Sequence, residues 1–165
     1  MHKRLYLLCP TDCLESIISN TFKYENYFYT SLGNSFAPDT ETLKSIKQLI
    51  EKHHIKEIYF ILSMDNQIVL DAFGDQNFSK IAGLSNFFIE IEKQNRRSEI
   101  IAQSWNRQFS IISYYLNKKI KMLQLELNNL SNGPIKIGGK MYNKYQDAFA
   151  DIFSDLVCLE KYHLN

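Results

Sequence analysis

The chain has 165 residues, 45% of them apolar, which suits a single domain over 1–165 with a sizeable core. With 19 basic against 18 acidic side chains its formal charge is +1, so it lacks the electrostatic footprint of a nucleic-acid binder or of a protein that docks on an anionic membrane. No stretch approaches the length of a membrane span, and the apolar run after His2, Lys3 and Arg4 is too short for a signal peptide; with only three cysteines, Cys9, Cys13 and Cys158, a cytoplasmic location with reduced thiols is expected.

Arg4 to Cys9 is a short apolar run closed by Pro10, too short for a helix and suited to a buried strand. Asp12, with Glu15 in the capping-box position, then announces a helix over about Cys13 to Lys23 that faces the core with Leu14, Ile17, Ile18 and Phe22. The aromatic run Asn26 to Thr30 reads as a second strand, ending at Ser31-Leu32-Gly33-Asn34, where Gly33 can take backbone angles closed to other residues. Leu43, Ile46, Leu49 and Ile50 recur at helical spacing within Thr40 to His53, and Ile55 to Leu62 forms the third strand. Gly74 and Gly83 punctuate a less regular segment. Leu84 to Gln94 and Ser98 to Asn117 both read as helices, the second with Ile101, Trp105, Phe109, Ile112 and Leu116 on its face. Lys119 to Leu130 alternates like a strand at Leu123, Leu125 and Leu127 but also fits a helical stripe, and we read it as a helix that stops before Asn132-Gly133. Pro134 to Tyr142 is a fourth strand in which Gly138-Gly139 permits close backbone approach, and Asp147 to Tyr162 reads as a closing amphipathic helix. Strands alternating with helices predict an α/β fold with a mostly parallel central sheet of about four to five strands.

The order of elements, and certain residues within it, resemble the beta-class carbonic anhydrases over roughly Leu5 to Tyr145. That family places Cys-x-Asp-x-Arg after its first strand, Arg-Asn-Ala-Gly-Asn after its second and Gly-His-x-x-Cys after its third. Here the corresponding stretches are Cys9-Pro10-Thr11-Asp12-Cys13, Thr30-Ser31-Leu32-Gly33-Asn34 and Leu62-Ser63-Met64-Asp65-Asn66, with Asn106 and the late strand Ile135 to Tyr142 in matching places. The resemblance implies the fold. It also implies that Cys9 keeps the first zinc-ligand position, while Ser63 stands for the histidine, Asn66 for the second cysteine, Thr11 for the aspartate and Cys13 for the arginine. Catalytic zinc takes about three protein ligands and an open position for water. No metal, no cofactor and no hydration of carbon dioxide are therefore expected, and association as a homodimer is what the family's habit implies.

The expected cleft lies at the carboxyl ends of the strands, where open α/β sheets gather ligands. Its candidate residues are Cys9, Thr11, Asp12, Cys13, Ser31, Gly33, Asn34, Ser63, Asp65 and Asn66. Each has a plainer reading beside the functional one. Asp12 suits a helix N-cap, Cys9 and Cys13 suit small buried residues, Gly33-Asn34 suits an ordinary turn, and Asp65 suits a loop residue that caps the next element. His2, His53, His54 and His163 are scattered, and Cys9 and Cys13 form a lone C-x3-C, so spacing alone supplies no second metal site. Three functions stay open at this level: a binding module for an unknown small molecule or protein, an enzyme with metal-independent chemistry in the same cleft, and a zinc carbonic anhydrase.

Overall fold

In the computed structural model, residues 2–37, 39–98, 104–129 and 133–153 are described. Five strands form one sheet in the order β2-β1-β3-β4-β5: β1 is Lys3–Leu8, β2 Glu25–Thr30, β3 Glu57–Ser63, β4 Lys136–Asn143 and β5 Ala148–Asp151. The first four are parallel, and β5 returns antiparallel along β4 with Phe149 opposite Tyr142. Parallel strands need crossovers, and helices of the chain supply the bulk of them: α1 (Glu15–Thr21), α2 (Thr40–His53), α3 (Gln67–Phe73), α4 (Ser85–Ser98) and α5 (Ser104–Leu127).

Alternate residues of the central strands feed two cores. Leu5 and Leu7 of β1 with Ile58, Phe60 and Leu62 of β3 face Ile46 and Ile50 of α2 and Ile112, Leu116 and Leu123 of α5. Tyr6 and Leu8 with Tyr59 and Ile61 face the opposite way, onto Leu14 and Ile18 beside α1. The Tyr6 ring lies about 6 Å from those of Phe22, Phe28 and Tyr59. Burial on both faces explains why β1 and β3 are apolar at consecutive positions rather than alternating.

Four expectations change. The Asp147 to Tyr162 helix is replaced, in its described part, by β5, because the Tyr142 and Phe149 rings meet at 5.0 Å, tilted, across the hairpin and the Tyr142 hydroxyl donates to Asp147, whose φ is +46°. Phe149, Ile152 and Phe153 follow the helical spacing i, i+3, i+4, and pairing with β4 overrides it; Leu156, Cys158, Leu159 and His163 lie outside the described residues. The two helices read on either side of Lys118 are one α5 of 24 residues, with no glycine or proline inside it to break it. Ile101 lies outside the described residues, as do the side chains of Trp105 and Asn106. The segment after β3 is not irregular but contains α3, started by the Asn66 side chain, which accepts the Val69 N–H at 2.9 Å. Lastly, Asp12 caps nothing: Leu14 precedes α1, and Pro10–Asp12 forms a separate 3-10 turn ended by Cys13 at φ +52°. The left-handed backbone of Cys13, after the turn, separates it from the helix.

Gly138-Gly139 does allow close approach. A side chain on Gly138 would stand 3.1 Å from the Tyr59 ring, and one on Gly139 would stand 2.5 Å from Ile152 Cδ1, so these two glycines hold slots for neighbours that seal the sheet around β4. Among the described residues no helix is long and apolar enough to cross a membrane.

Candidate functional site

From β1 the chain passes to β2 on one side and later to β3 on the other, so the sheet switches direction between β1 and β3. A switch point leaves a crevice at the carboxyl ends of the two diverging strands. Cys9-Thr11-Asp12 leaves β1 there, and Ser63-Met64-Asp65-Asn66 leaves β3. Residues separated by more than fifty positions thereby meet.

The 3-10 turn carries the Asp12 carboxylate to the end of β3. One oxygen accepts the Ser63 backbone N–H at 2.9 Å, and the other accepts Asn66 Nδ2 at 2.8 Å. Asn66 is 1% exposed, and its orientation is fixed from both ends, because Oδ1 takes the Val69 N–H and Nδ2 is left to face Asp12. Ser63 Oγ donates to Asp65. Cys9 Sγ, buried, accepts the Gly33 N–H at 3.1 Å and lies 3.0 Å from Thr11 Oγ1. Gly33 has φ +60°, and a Cβ there would stand 3.1 Å from Ile68 Cγ2, so backbone conformation and space both demand glycine. Burial dominates the electrostatics of the cluster. It pushes the Asp12 carboxyl up to about 6, the bonds from Ser63 and Asn66 work against it, and the neighbouring Asp65 and Glu15 carboxylates add to it.

Of the candidate residues, Cys9, Thr11, Asp12, Gly33, Ser63, Asp65 and Asn66 form this hydrogen-bonded cluster. The others do different things. Asn34 is wholly buried and lines nothing; its Nδ2 donates to Leu7 O at 3.0 Å and Ile61 O at 2.8 Å, lacing β1 to β3. Ser31 Oγ accepts the Phe36 N–H and holds the turn after β2. Cys13 is exposed, outside any helix, with its thiol towards Pro10 O at 3.6 Å. Two α5 residues escaped the sequence reading. Tyr115, buried, donates to the carbonyls of Gly33 and Asn34, and Gln108 donates to Met64 O. Both sit in a run legible only for its apolar spacing, and the one available signal was a polar atom on residues at core-facing positions.

Geometry of this kind, a parallel sheet whose switch point carries a polar cluster, defines an α/β protein with a strand-end site. No family model matches the sequence. The fold is that of the beta-carbonic anhydrases: the chain superposes on the enzyme CafD of Aspergillus fumigatus with a TM-score of 0.73 at 17% identity, covering 93% of this chain and 90% of that one. Against a tetrameric beta-carbonic anhydrase of Sordaria macrospora the TM-score is 0.66 at 15% identity, over 92% and 80% of the two chains. Against the Coccomyxa beta-carbonic anhydrase in complex with acetazolamide it is 0.66 at 12%, over 99% and 77%. By sequence, the chain is 29% identical over 125 residues to a probable nicotinate-nucleotide adenylyltransferase of Clostridium novyi, a match that covers 74% of this chain and 56% of that protein. The chain thus spans just over half the length of that curated relative.

Proposed function

We propose that this chain is a beta-carbonic-anhydrase-fold protein whose strand-end site is a metal-free hydrogen-bonded cluster, and that it works in the cytoplasm as a single-domain binding or interaction module for a small molecule or protein rather than by hydrating carbon dioxide. The observation that carries this is the orientation of Asn66. At the position the resemblance gives to a zinc-binding cysteine, it presents an N–H donor to Asp12, and a donor cannot ligate a cation. Ser63 is neutral and directs its hydroxyl to Asp65, and Cys9 Sγ already accepts the Gly33 N–H and lies against the Thr11 hydroxyl. Among the described residues no group of three or more histidine, cysteine and carboxylate side chains is placed to hold a metal ion. The residues present therefore do not fit zinc.

Protein purified without added zinc is expected to hold well under one equivalent by elemental analysis, unchanged by Cys9→Ser, and to leave carbon dioxide hydration at the buffer rate. Stoichiometric zinc that disappears in Cys9→Ser would overturn the reading. Self-association belongs to the same proposal, since among the described residues β2 is an edge of the sheet with Glu25 to Tyr29 half-buried and Thr30 exposed, and such edges favour pairing with a second chain. Light scattering should report a dimer or larger; a strict monomer at tens of micromolar removes this part.

A second reading, metal-independent chemistry in the same cluster, draws on the Asp12 carboxyl at about 6, a range suited to proton transfer. Both Asp12 oxygens are held by donors, so binding stands first. Adenylyl transfer, the activity in the name of the Clostridium novyi relative, calls for cations or a glycine-rich cradle around phosphates. The cluster offers the carboxylates Asp12 and Asp65 and no lysine or arginine.

A further inference from the structure

A cavity of about 520 Å³ lies between the start of α4, the middle of α5 and the Ser35–Ala37 loop. That volume is within the range of small-molecule sites. Its walls divide by chemistry. Phe87, Tyr115, Met122 and Ala37 are apolar surfaces, while Lys118, Lys119, Glu90 and the first turn of α4 are polar. Lys118 is neutralised by Glu90 at 3.0 Å. Lys119 has no carboxylate partner among the described residues; its ammonium donates to Phe36 O at 2.9 Å and Ser35 O at 3.3 Å, which leaves one of three N–H donors. Leu84, ahead of α4, has no side-chain acceptor with which to cap the N–H groups of Ser85, Asn86 and Phe87, and these residues line the cavity.

We propose that this cavity binds a small organic monocarboxylate, with the carboxylate paired to Lys119 and the first-turn N–H groups of α4 and the apolar body against Phe87, Tyr115 and Met122. One uncompensated cation matches one negative charge, and the Glu90 carboxylate in the same wall opposes a second, which selects a carboxylate over a phosphate dianion. The cavity borders the strand-end site through Tyr115 but has none of Cys9, Thr11, Asp12, Ser63, Asp65 and Asn66 in its walls. Zinc found at Cys9 would leave it intact, and its failure would leave the metal-free reading intact.

The test is an amide chemical-shift titration of the full chain with sodium hexanoate and sodium phenylacetate, against hexan-1-ol as the uncharged analogue and phenyl phosphate as the dianion. Both acids should shift Ser85, Asn86 and Phe87 and bind at least about tenfold more tightly than hexanol, the worth of a charged hydrogen bond. Phenyl phosphate should bind more weakly than phenylacetate. Lys119→Met should reduce affinity by about the same factor, Lys119→Arg should largely keep it, and Met122→Trp should remove it by filling the space while the charge stays.

The wild-type pH profile is a further arm that needs no variant. Burial and the neighbouring Lys118 lower the Lys119 ammonium to about 8, with Glu90 pulling the other way and Tyr115, un-ionised, completing its surroundings. Affinity should therefore fall as pH rises above about 8, by about tenfold in all, and level off above the higher value Lys119 takes in the complex. Equal binding of hexanoate and hexanol, tighter binding of phenyl phosphate, flat pH dependence to pH 10, or full affinity in Lys119→Met would each overturn the assignment.

Discussion

Asn34→Ala should lower unfolding free energy by about 3–5 kcal/mol, the largest effect expected of a single substitution near the site. The side chain is 0% exposed and donates to Leu7 O and Ile61 O, which belong to adjacent strands near the switch point. Alanine would leave both carbonyls buried without that donor, at roughly 1–3 kcal/mol each. It would also have to adopt φ +52°, a left-handed conformation that costs a non-glycine residue without a polar side chain about 1 kcal/mol. Asn34→Gly separates the two contributions, because glycine tolerates the backbone but cannot lace the strands. Urea unfolding should place Asn34→Gly between wild type and Asn34→Ala. A shift under about 1 kcal/mol for Asn34→Ala would show that the strands are held together without the lace.

Stability should also fall as pH rises from about 4 to about 7, and Asp12→Asn should remove that part of the profile. In the folded chain the Asp12 carboxyl is pushed up to about 6 from an ordinary 3.8, mainly by burial, so the fold binds this proton more tightly than the unfolded chain does. The stabilisation from the bound proton is complete below the unfolded value and is lost as pH rises through the folded one. From 3.8 to about 6, the change is on the order of 3 kcal/mol. Glu90 and Asp39 are lowered by their partners and contribute in the opposite sense, so the informative quantity is wild type minus Asp12→Asn at each pH. Asparagine can still accept the Ser63 N–H, but its amide nitrogen then faces Asn66 Nδ2, donor against donor, a penalty of about 1 kcal/mol that does not vary with pH. Denaturant midpoints at pH 4, 5, 6 and 7 would refute the assignment if the two proteins ran parallel.

The strands were legible because buried parallel strands carry consecutive apolar residues bounded by turn formers, a signal contained in six or seven neighbours. β5 is not legible because Phe149, Ile152 and Phe153 follow helical spacing, and only the contact of the Tyr142 and Phe149 rings across a hairpin overrides it. α3 is hidden in the sequence because its cap, Asn66, follows a strand end directly and reads as a cleft residue. Within the site, Cys9, Asp12, Ser63 and Asn66 stood out by lying next to strand ends, whereas Tyr115 and Gln108 reach it from α5, a helix whose periodicity says nothing of the polar atoms at its tips.

The amino-acid order by itself determined the parallel α/β layout and the chemical inventory at the strand ends, since both arise from short-range patterns of apolar and turn-forming residues. Only the tertiary structure decided what that inventory does. Asp12 meets Ser63 and Asn66 across 51 and 54 positions, and the carboxylate is buried by the same approach that satisfies it. The amide of Asn66 is turned by its duty to Val69, and among the described residues Lys119 lines a cavity, beside α4 and the Ser35–Ala37 loop, with carbonyls and no carboxylate as hydrogen-bond partners. Hydrogen-bond partners and burial are properties of packing between distant segments, and local sequence has no term for them.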